Sequence, residues 1–426
     1  MKKLIKNVTV VTSESELKCA CIGINGKYID YIGTEIPDGY EETIDGKGGI
    51  AMPGFVNSHT HIPMVLFRGY AEDMPLQEWL FTKIFPAEDK LDAEMVRWAS
   101  DLAVAEMLSS GTTSFSDMYY FCDEIVESAG RSGIKANISR GVSAFAETDA
   151  AKLQSVSETK ELFDKYHNSF DGRVKIDLSI HSEYTNNEAI CKAMAQLAKE
   201  RETILHIHIS ETEKEHNECI GRHGITPTEF MEKCGCFEVP VLGAHCVWLT
   251  DGDMEIFRRS GASVAHNPSS NLKLGSGIAP VSKMIEKGIN VCLGTDGCSS
   301  NNNTDMFAEL HLASLLAKGS LCDPTAMPAS MALKVATLNG AKAQGRSDTG
   351  VLEVGKCADI VIVGTEKPNM HPVYSAVTAL VQSARAADVR MTLVNGEVLY
   401  KDGEYMTIDY EKTVREFERI VDEKYR

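Results

Sequence analysis

No stretch of this 426-residue chain approaches the run of about 18 apolar residues that a membrane-spanning helix needs. Its start, "MKKLIKNVTVVTSESEL", is charged but lacks the apolar segment and small-residue cleavage site of a secretory signal. Positive charge is scarce. The 43 Lys and Arg stand against 61 Asp and Glu, a formal net charge of -18, which disfavours a phosphate-backbone partner. The twelve cysteines form no Cys-x-x-Cys pair, the nearest spacings being Cys19/Cys21 and Cys234/Cys236, and a chain of this length needs no disulfide staples. From these absences we expect a cytoplasmic protein with reduced, mostly buried thiols, no nucleic-acid partner and no membrane association.

What is present is a globular composition, 43% hydrophobic and 24% charged, with room for one large domain and a smaller one. Residues 1–54 are β-rich, with "KNVTVVT", "ACIGING" and "KYIDYIG" separated by Gly and Asp. The same style returns over 355–405, where "DVRMTLVNGEVLYKDGEY" carries the hairpin signal Asn395-Gly396. Two β-rich ends flanking a different middle predict a small β-sandwich domain formed from both termini, followed by a C-terminal helix over 406–426.

The middle, 55–354, alternates short apolar runs with helical segments. Eight runs qualify as strands: "GFVNS", "GTTSFSDM", "IKANISRG", "VKIDLSIH", "TILHIHIS", "VPVLGAHC", "GASVAHNP" and "INVCLGTD". Between them, "LDAEMVRWASDLAVAEMLSSG" spaces Leu91, Met95, Trp98, Leu102 and Ala105 at helical intervals, and "NNEAICKAMAQLAKE" does likewise with Ile190, Met194 and Leu197. This α/β pattern predicts a (β/α)8 barrel, a TIM-type fold whose chemistry sits at the C-terminal strand ends.

Polar residues fall at those ends. His59 and His61 follow the first run and, on a strand, point to one face. His206, His208 and Glu211 follow the fifth, His245 the sixth and Asp296 the eighth. Imidazoles and carboxylates from separate strand ends suit a catalytic metal, which needs fixed ligands plus an open position. Of His206 and His208, one could simply fill the interior; His208, three residues before Glu211, is the expected ligand. His181 and His266 also end strands and are expected to touch substrate. His167, His216, His223, His311 and His371 receive no role.

The motifs "PGFVNSHTH", "HISETEKE", "GAHC", "HNPSSNLKLGSGIAP" and "GTDGCSSNN", in this order, resemble the amidohydrolase superfamily. With "FRGYAEDMPLQEWLF" the chain is similar over nearly its whole length to the branch of methylthioadenosine/S-adenosylhomocysteine deaminases. The resemblance implies a hydrolase acting on the purine C6 amino group of adenosine analogues. It implies one divalent ion per subunit, zinc being expected, held by His59, His61, His208 and Asp296. Binuclear members of the superfamily bridge two metals with a lysine ending the fourth strand; here that strand ends in His181, with Lys175 at its far end, so one metal is expected. A homo-oligomer is also implied.

Within that resemblance Asp296 takes a proton from water, Glu211 delivers one to the purine ring nitrogen, and His245 holds the attacking oxygen. Trp79 and Glu88 match the aromatic and the acid that close over the nucleoside, Glu88 anchoring the ribose. Arg140, His181 and Ser300 match further contact positions, and His208, Glu211 and Asp296 also reach substrate. Two departures bear on the 5′ group. Only Lys152 stands where some branch members have a second arginine, and "HSEY" replaces His-Ser-Pro-Tyr, adding Glu183 near the mouth. Both are expected to favour neutral tails, such as methylthioadenosine, 5′-deoxyadenosine or adenosine, over S-adenosylhomocysteine. The residues leave open a guanine-type or s-triazine aminohydrolase or chlorohydrolase, and a non-catalytic scaffold barrel that purifies without stoichiometric metal.

Overall fold

The computed structural model describes residues 2–13, 15–144 and 149–426. Five strands come first: β1 (Lys2–Val11), β2 (Glu16–Asn25), β3 (Tyr28–Gly33), β4 (Glu42–Asp45) and β5 (Ile50–Pro53). The middle holds β6 (Phe55–Thr60), β7 (Thr112–Tyr119), β8 (Lys135–Arg140), β9 (Val174–Ile176), β10 (Leu178–Ile180), β11 (Leu205–Ile209), β12 (Val241–His245), β13 (Ser263–His266) and β14 (Asn290–Leu293). After it come β15 (Ile360–Val363), β16 (Val389–Val394), β17 (Glu397–Lys401) and β18 (Glu404–Tyr405).

The middle strands pair in parallel as β6-β7-β8-β9 and β10-β11-β12-β13-β14. Each expected run contains a strand, and β9 and β10 are two parts of the fourth. They part at Asp177, whose N–H donates to Ile138 while the next N–H, of Leu178, crosses to Ile204. The strands are buried on both faces, as parallel strands require, with Val, Ile, Leu and Ala prominent in β10 to β14 and buried Ser, Thr and Asn interleaved in β6 to β8. The helices form where the pattern predicts. Ala93–Ser109 is capped by Asp92 accepting from Met95 N–H (2.9 Å) and ends before Gly111 at φ 88°. Glu188–Arg201 is capped by Asn187.

The strands from the two chain ends form one nine-stranded sheet, β18-β17-β16-β15-β5-β1-β2-β3, with β4 on β1. The two ends meet where β15 runs antiparallel to β5, from Ile360 opposite Pro53 to Val363 opposite Ile50. Asn395 (φ 51°) and Gly396 (φ 74°) make the left-handed turn between β16 and β17. The last helix, Tyr410–Lys424, buries Thr413, Phe417 and Ile420, and its Arg419 pairs with Glu94 of the first long helix. All twelve cysteines are free, and only Cys19 and Cys322 are exposed. Among the described residues no helix is long and apolar enough to cross a membrane.

The amino-terminal ends of the parallel strands are held to the terminal sheet by buried charge. Lys135, first in β8, donates to Asp359 Oδ2 at 2.6 Å, both side chains being 4% exposed, and Asp359 Oδ1 accepts from Asn395 N–H at 2.9 Å. Arg346, also buried, donates to Asn137 Oδ1 and to the carbonyls of Ala136, Gly172 and Arg173. Lys135→Met strands a buried carboxylate and should destabilise the fold by about 3 to 5 kcal/mol, seen as a lower urea midpoint. Lys135→Met/Asp359→Leu should recover part of that loss, because Asn395 N–H still lacks its acceptor. A single variant as stable as the parent would show that the pair contributes nothing.

Candidate metal centre and substrate cleft

His59 lies in β6 and His61 just beyond it, where Asp117 of β7 accepts from Thr60 Oγ1 (2.8 Å) and Ile62 N–H (2.7 Å) and so fixes the turn. Burial pushes the Asp117 carboxyl up to about 6. The other members stand at strand ends in left-handed backbone: Ser210 (φ 48°) ahead of Glu211, His245 (φ 68°) and Asp296 (φ 62°). Such conformations are costly for residues with a Cβ and cluster at functional sites. Asp296 N–H donates to His59 C=O at 2.9 Å, tying the segment after β14 to β6.

Two imidazoles meet at Asp296, and a third stands beside them. His59 Nε2 and His61 Nε2 lie 3.3 and 3.2 Å from Asp296 Oδ1, and His208 Nε2 lies 3.3 Å from His61 Nε2. Each ring is aimed by its other nitrogen: His61 Nδ1 donates to Met118 C=O (2.5 Å), His208 Nδ1 to His181 C=O (2.8 Å) and His59 Nδ1 to His206 Nε2 (2.9 Å). Anchoring the remote nitrogen to a carbonyl or side chain is how proteins orient metal-binding histidines. His59 Nε2 is buried without a hydrogen-bond partner. His59 belongs to two sets of donors close enough to share one ion, with His61 and Asp296 and with His208 and His245; such buried donors call for a cation, and their nitrogen and oxygen atoms fit a divalent ion of zinc type. The charge balance agrees. Burial depresses His59 to about 3 and holds His208 well below the ordinary histidine range. Burial opposes charge on His61 too, but Asp296 and then Asp117 raise it to about 9. Burial would also raise Asp296, yet the adjacent His59 and His61 imidazoles hold it well below the usual carboxylate range.

The other oxygen of Asp296 accepts from Ser270 Oγ (2.6 Å) and Ser300 Oγ (2.9 Å). His245 Nδ1 donates to Asn271 Oδ1 (2.8 Å), which leaves Nε2 facing Glu211 Oε2 at 3.9 Å and Asp296 Oδ2 at 4.0 Å. Glu211 is aimed by Glu215, whose carboxylate accepts from the N–H groups of Ser210 (3.1 Å) and Glu211 (2.7 Å). Burial raises the Glu211 carboxyl above its ordinary value, favouring the protonated form.

These groups floor a cleft of about 660 Å³, solvent at its mouth included, which Trp79, Glu88, His181 and Ser300 also line. Trp79 is buried and donates from Nε1 to Ala71 C=O (3.3 Å). Glu88 presents a buried Oε1 without a hydrogen-bond partner, and burial pushes its carboxyl up to about 7. Arg140 does not line this cleft. It stands in an adjoining cavity of about 1270 Å³, open solvent included, that shares Phe85, Glu88, Tyr120 and Ser143 with the first.

Other expectations are corrected. His266 is buried, 2% exposed, and is absent from the cleft wall. Glu183 adds no charge at the mouth, being buried and paired with Arg222 Nη2 (2.5 Å) and His223 Nε2 (2.9 Å). Lys152 sits exposed in a short turn and lines neither cavity. Sequence reasoning missed Tyr119, Tyr120 and Tyr184 in the cleft wall, and Asn271, Ser270 and Glu215 beneath it. The Tyr pair directly after "TTSFSDM" was the available signal; nothing local marked the others.

The amidohydrolase family model matches residues 50–399. The chain is 44% identical over 421 residues, 97% of each chain, to the 5-methylthioadenosine/S-adenosylhomocysteine deaminase of Acetivibrio thermocellus. It is 42% identical over 423 residues, 99% of this chain and 98% of the other, to the 5′-deoxyadenosine deaminase of Methanosarcina mazei. Its fold superposes with a TM-score of 0.93 on a zinc-bound adenosine deaminase from Xanthomonas campestris, 30% identical, covering 99% of this chain and 98% of that one. The chain belongs to the amidohydrolase family.

The ring anchors make a graded prediction for metal content. His59→Ala, His208→Ala and Asp296→Ala should each purify with little metal by elemental analysis. His206→Ala, which removes only the anchor of His59, should keep the site but bind zinc about 10- to 100-fold more weakly. Full metal in His208→Ala with none in His206→Ala would reverse the assignment within that pair.

Proposed function

We propose that this protein is a metal-dependent deaminase of adenosine analogues, converting the C6 amino group of 5′-methylthioadenosine, 5′-deoxyadenosine, adenosine or S-adenosylhomocysteine to a carbonyl and releasing ammonia. The observation that carries this is the buried carboxyl of Glu211 beside His245 and Asp296, on the floor of a nucleoside-sized cleft next to a metal-type donor set. The near full-length likeness to deaminases of these nucleosides supports the substrate class. The same reading has the parallel strands closing as a (β/α)8 barrel over 55–354. It takes 1–54 with 355–405 as a β-sandwich domain and 406–426 as a C-terminal helical segment. The active unit is a cytoplasmic homo-oligomer with one zinc ion per subunit.

In this reading His59, His61, His208 and Asp296 hold the ion, which supplies the positive charge that makes water a competent nucleophile near neutral pH. Asp296, its outer oxygen fixed by Ser270 and Ser300, accepts the proton of the attacking water. His245, with Nδ1–H committed to Asn271, offers Nε2 as an acceptor that holds the attacking oxygen in place. The C6–O bond forms as the ring electrons move to the adjacent nitrogen, which takes a proton from Glu211. The C6–N bond then breaks, the amino group leaving as ammonia with the proton first held by Asp296, and the C6 hydroxyl gives up its own proton, which restores the Glu211 carboxyl, as it becomes the carbonyl. His181 and Trp79 bound the base, and Glu88 accepts from the ribose hydroxyls. A sugar-facing acid and aromatic at this distance from the floor favour a nucleoside over a free purine or a triazine.

Glu211→Gln keeps the shape and loses the proton. Ammonia release from methylthioadenosine should fall at least about 100-fold with metal content unchanged, whereas a rate within a few-fold of the parent would move proton delivery elsewhere. Glu88 provides a pH signature. Its carboxylate is the better hydroxyl acceptor and forms as pH rises through about 7, so KM should fall across that range. Glu88→Gln should raise KM and flatten that profile; an unchanged profile would remove Glu88 from sugar binding.

A further inference from the structure

The second cavity begins where the nucleoside cleft ends. The two share Glu88, and Arg140 is the only Lys or Arg lining the outer cavity among the described residues. Four carboxylates, those of Glu88, Asp89, Asp123 and Glu158, line it too. Asp123 is partly neutralised from outside by Lys165 (2.7 Å), but Arg140 is engaged from within. Its Nε donates to Glu158 Oε2 at 2.6 Å and its Nη1 to Gly141 C=O at 2.5 Å, and the guanidinium lies over the Tyr120 ring at 4.8 Å. Glu158 is itself held, Oε1 accepting from Gln154 Nε2 at 2.8 Å one helical turn before it. The guanidinium therefore has a fixed counter-ion on one side and an aromatic face against it.

With the purine on the cleft floor and the ribose at Glu88, a 5′ substituent extends into this outer cavity. We propose, resting on the deaminase reading above, that Glu158 is a specificity-determining residue. By neutralising Arg140 it turns the outer cavity against anionic 5′ tails and toward neutral or cationic ones. A carboxylate entering this space must displace Glu158 from a short charge-assisted bond or lie beside several carboxylates with its charge unmatched. An ammonium meets a surplus of acceptors. The neutral-tail preference expected from Lys152 and Glu183 thus has a different source, since neither residue lines the cavity. Homocysteine carries an ammonium and a carboxylate together, so S-adenosylhomocysteine reports the sum of both effects and singly charged probes are needed.

The test compares kcat/KM for 5′-S-(2-carboxyethyl)-, 5′-S-(2-aminoethyl)- and 5′-methylthioadenosine in the metal-loaded parent, Glu158→Gln, Glu158→Ala and Glu158→Gln/Arg140→Met. The parent should favour the aminoethyl over the carboxyethyl substrate. Both single variants should raise the carboxyethyl-to-methylthio ratio at least tenfold and lower the aminoethyl-to-methylthio ratio. The double variant should lose the carboxyethyl gain, because that gain requires the freed guanidinium. Circular dichroism and metal content matching the parent show that the variants are folded. The inference is overturned if both ratios stay within twofold in the single variants, or if the parent already prefers the carboxyethyl tail tenfold. A parent that releases ammonia from none of the three nucleosides overturns the deaminase reading itself, and this inference with it.

Discussion

The gathering of three imidazoles, His59 and His61 on one oxygen of Asp296 and His208 against His61, is the constraint from which the rest of the site follows. Alone, such a cluster is unfavourable: buried lone pairs face one another, and burial works against protonating His59 and His208. It persists because each ring is held from behind, by Met118, by the His181 carbonyl and by His206. The anchors come from three different strands or strand ends. The donor set is therefore preorganised by the parallel sheets before any cation arrives, and a cation is what makes the arrangement favourable.

The same economy appears in the chain reversals. Ser210, His245 and Asp296 all adopt left-handed backbone at the carboxyl ends of neighbouring strands. Two of the reversals are held by backbone hydrogen bonds, Ser210 N–H to Glu215 and Asp296 N–H to the His59 carbonyl. These turns lift Glu211, His245 and Asp296 out of strand alternation and into the cleft. The cost of positive φ is accepted where it aims a side chain. At the opposite ends of the strands the buried charges do different work. Lys135 pairs with Asp359 and joins β8 to the terminal sheet, while Arg346 satisfies Asn137 and the carbonyls around it, both away from the cleft wall.

The cleft and its neighbour divide recognition in two. The inner space combines aromatic and methionine side chains with histidines and carboxyls that gather at the floor, and Glu88 stands where it meets the outer cavity. The outer space is acidic, and its one arginine is already matched. In the proposed reading shape selects in the first and charge in the second.

The order of elements was legible because its signals are local. Apolar runs of strand length, helical spacing in 91–111 and the Asn395-Gly396 turn depend only on near neighbours, and all appear where expected. His59, His61, His208, Glu211, His245 and Asp296 were legible as candidates because each ends a strand, and strands in parallel order bring their ends together. What the sequence could not determine is which atom faces which. Glu183 looked like a charge at the mouth and is a buried partner of Arg222 and His223; His266 ends a strand and yet does not line the cleft. Arg140 looked free to meet a substrate, and Glu158, eighteen residues further along, holds its guanidinium. Ion pairing and side-chain direction depend on distances between segments remote in the chain. Periodicity carries no record of those distances, so only the tertiary structure decides them.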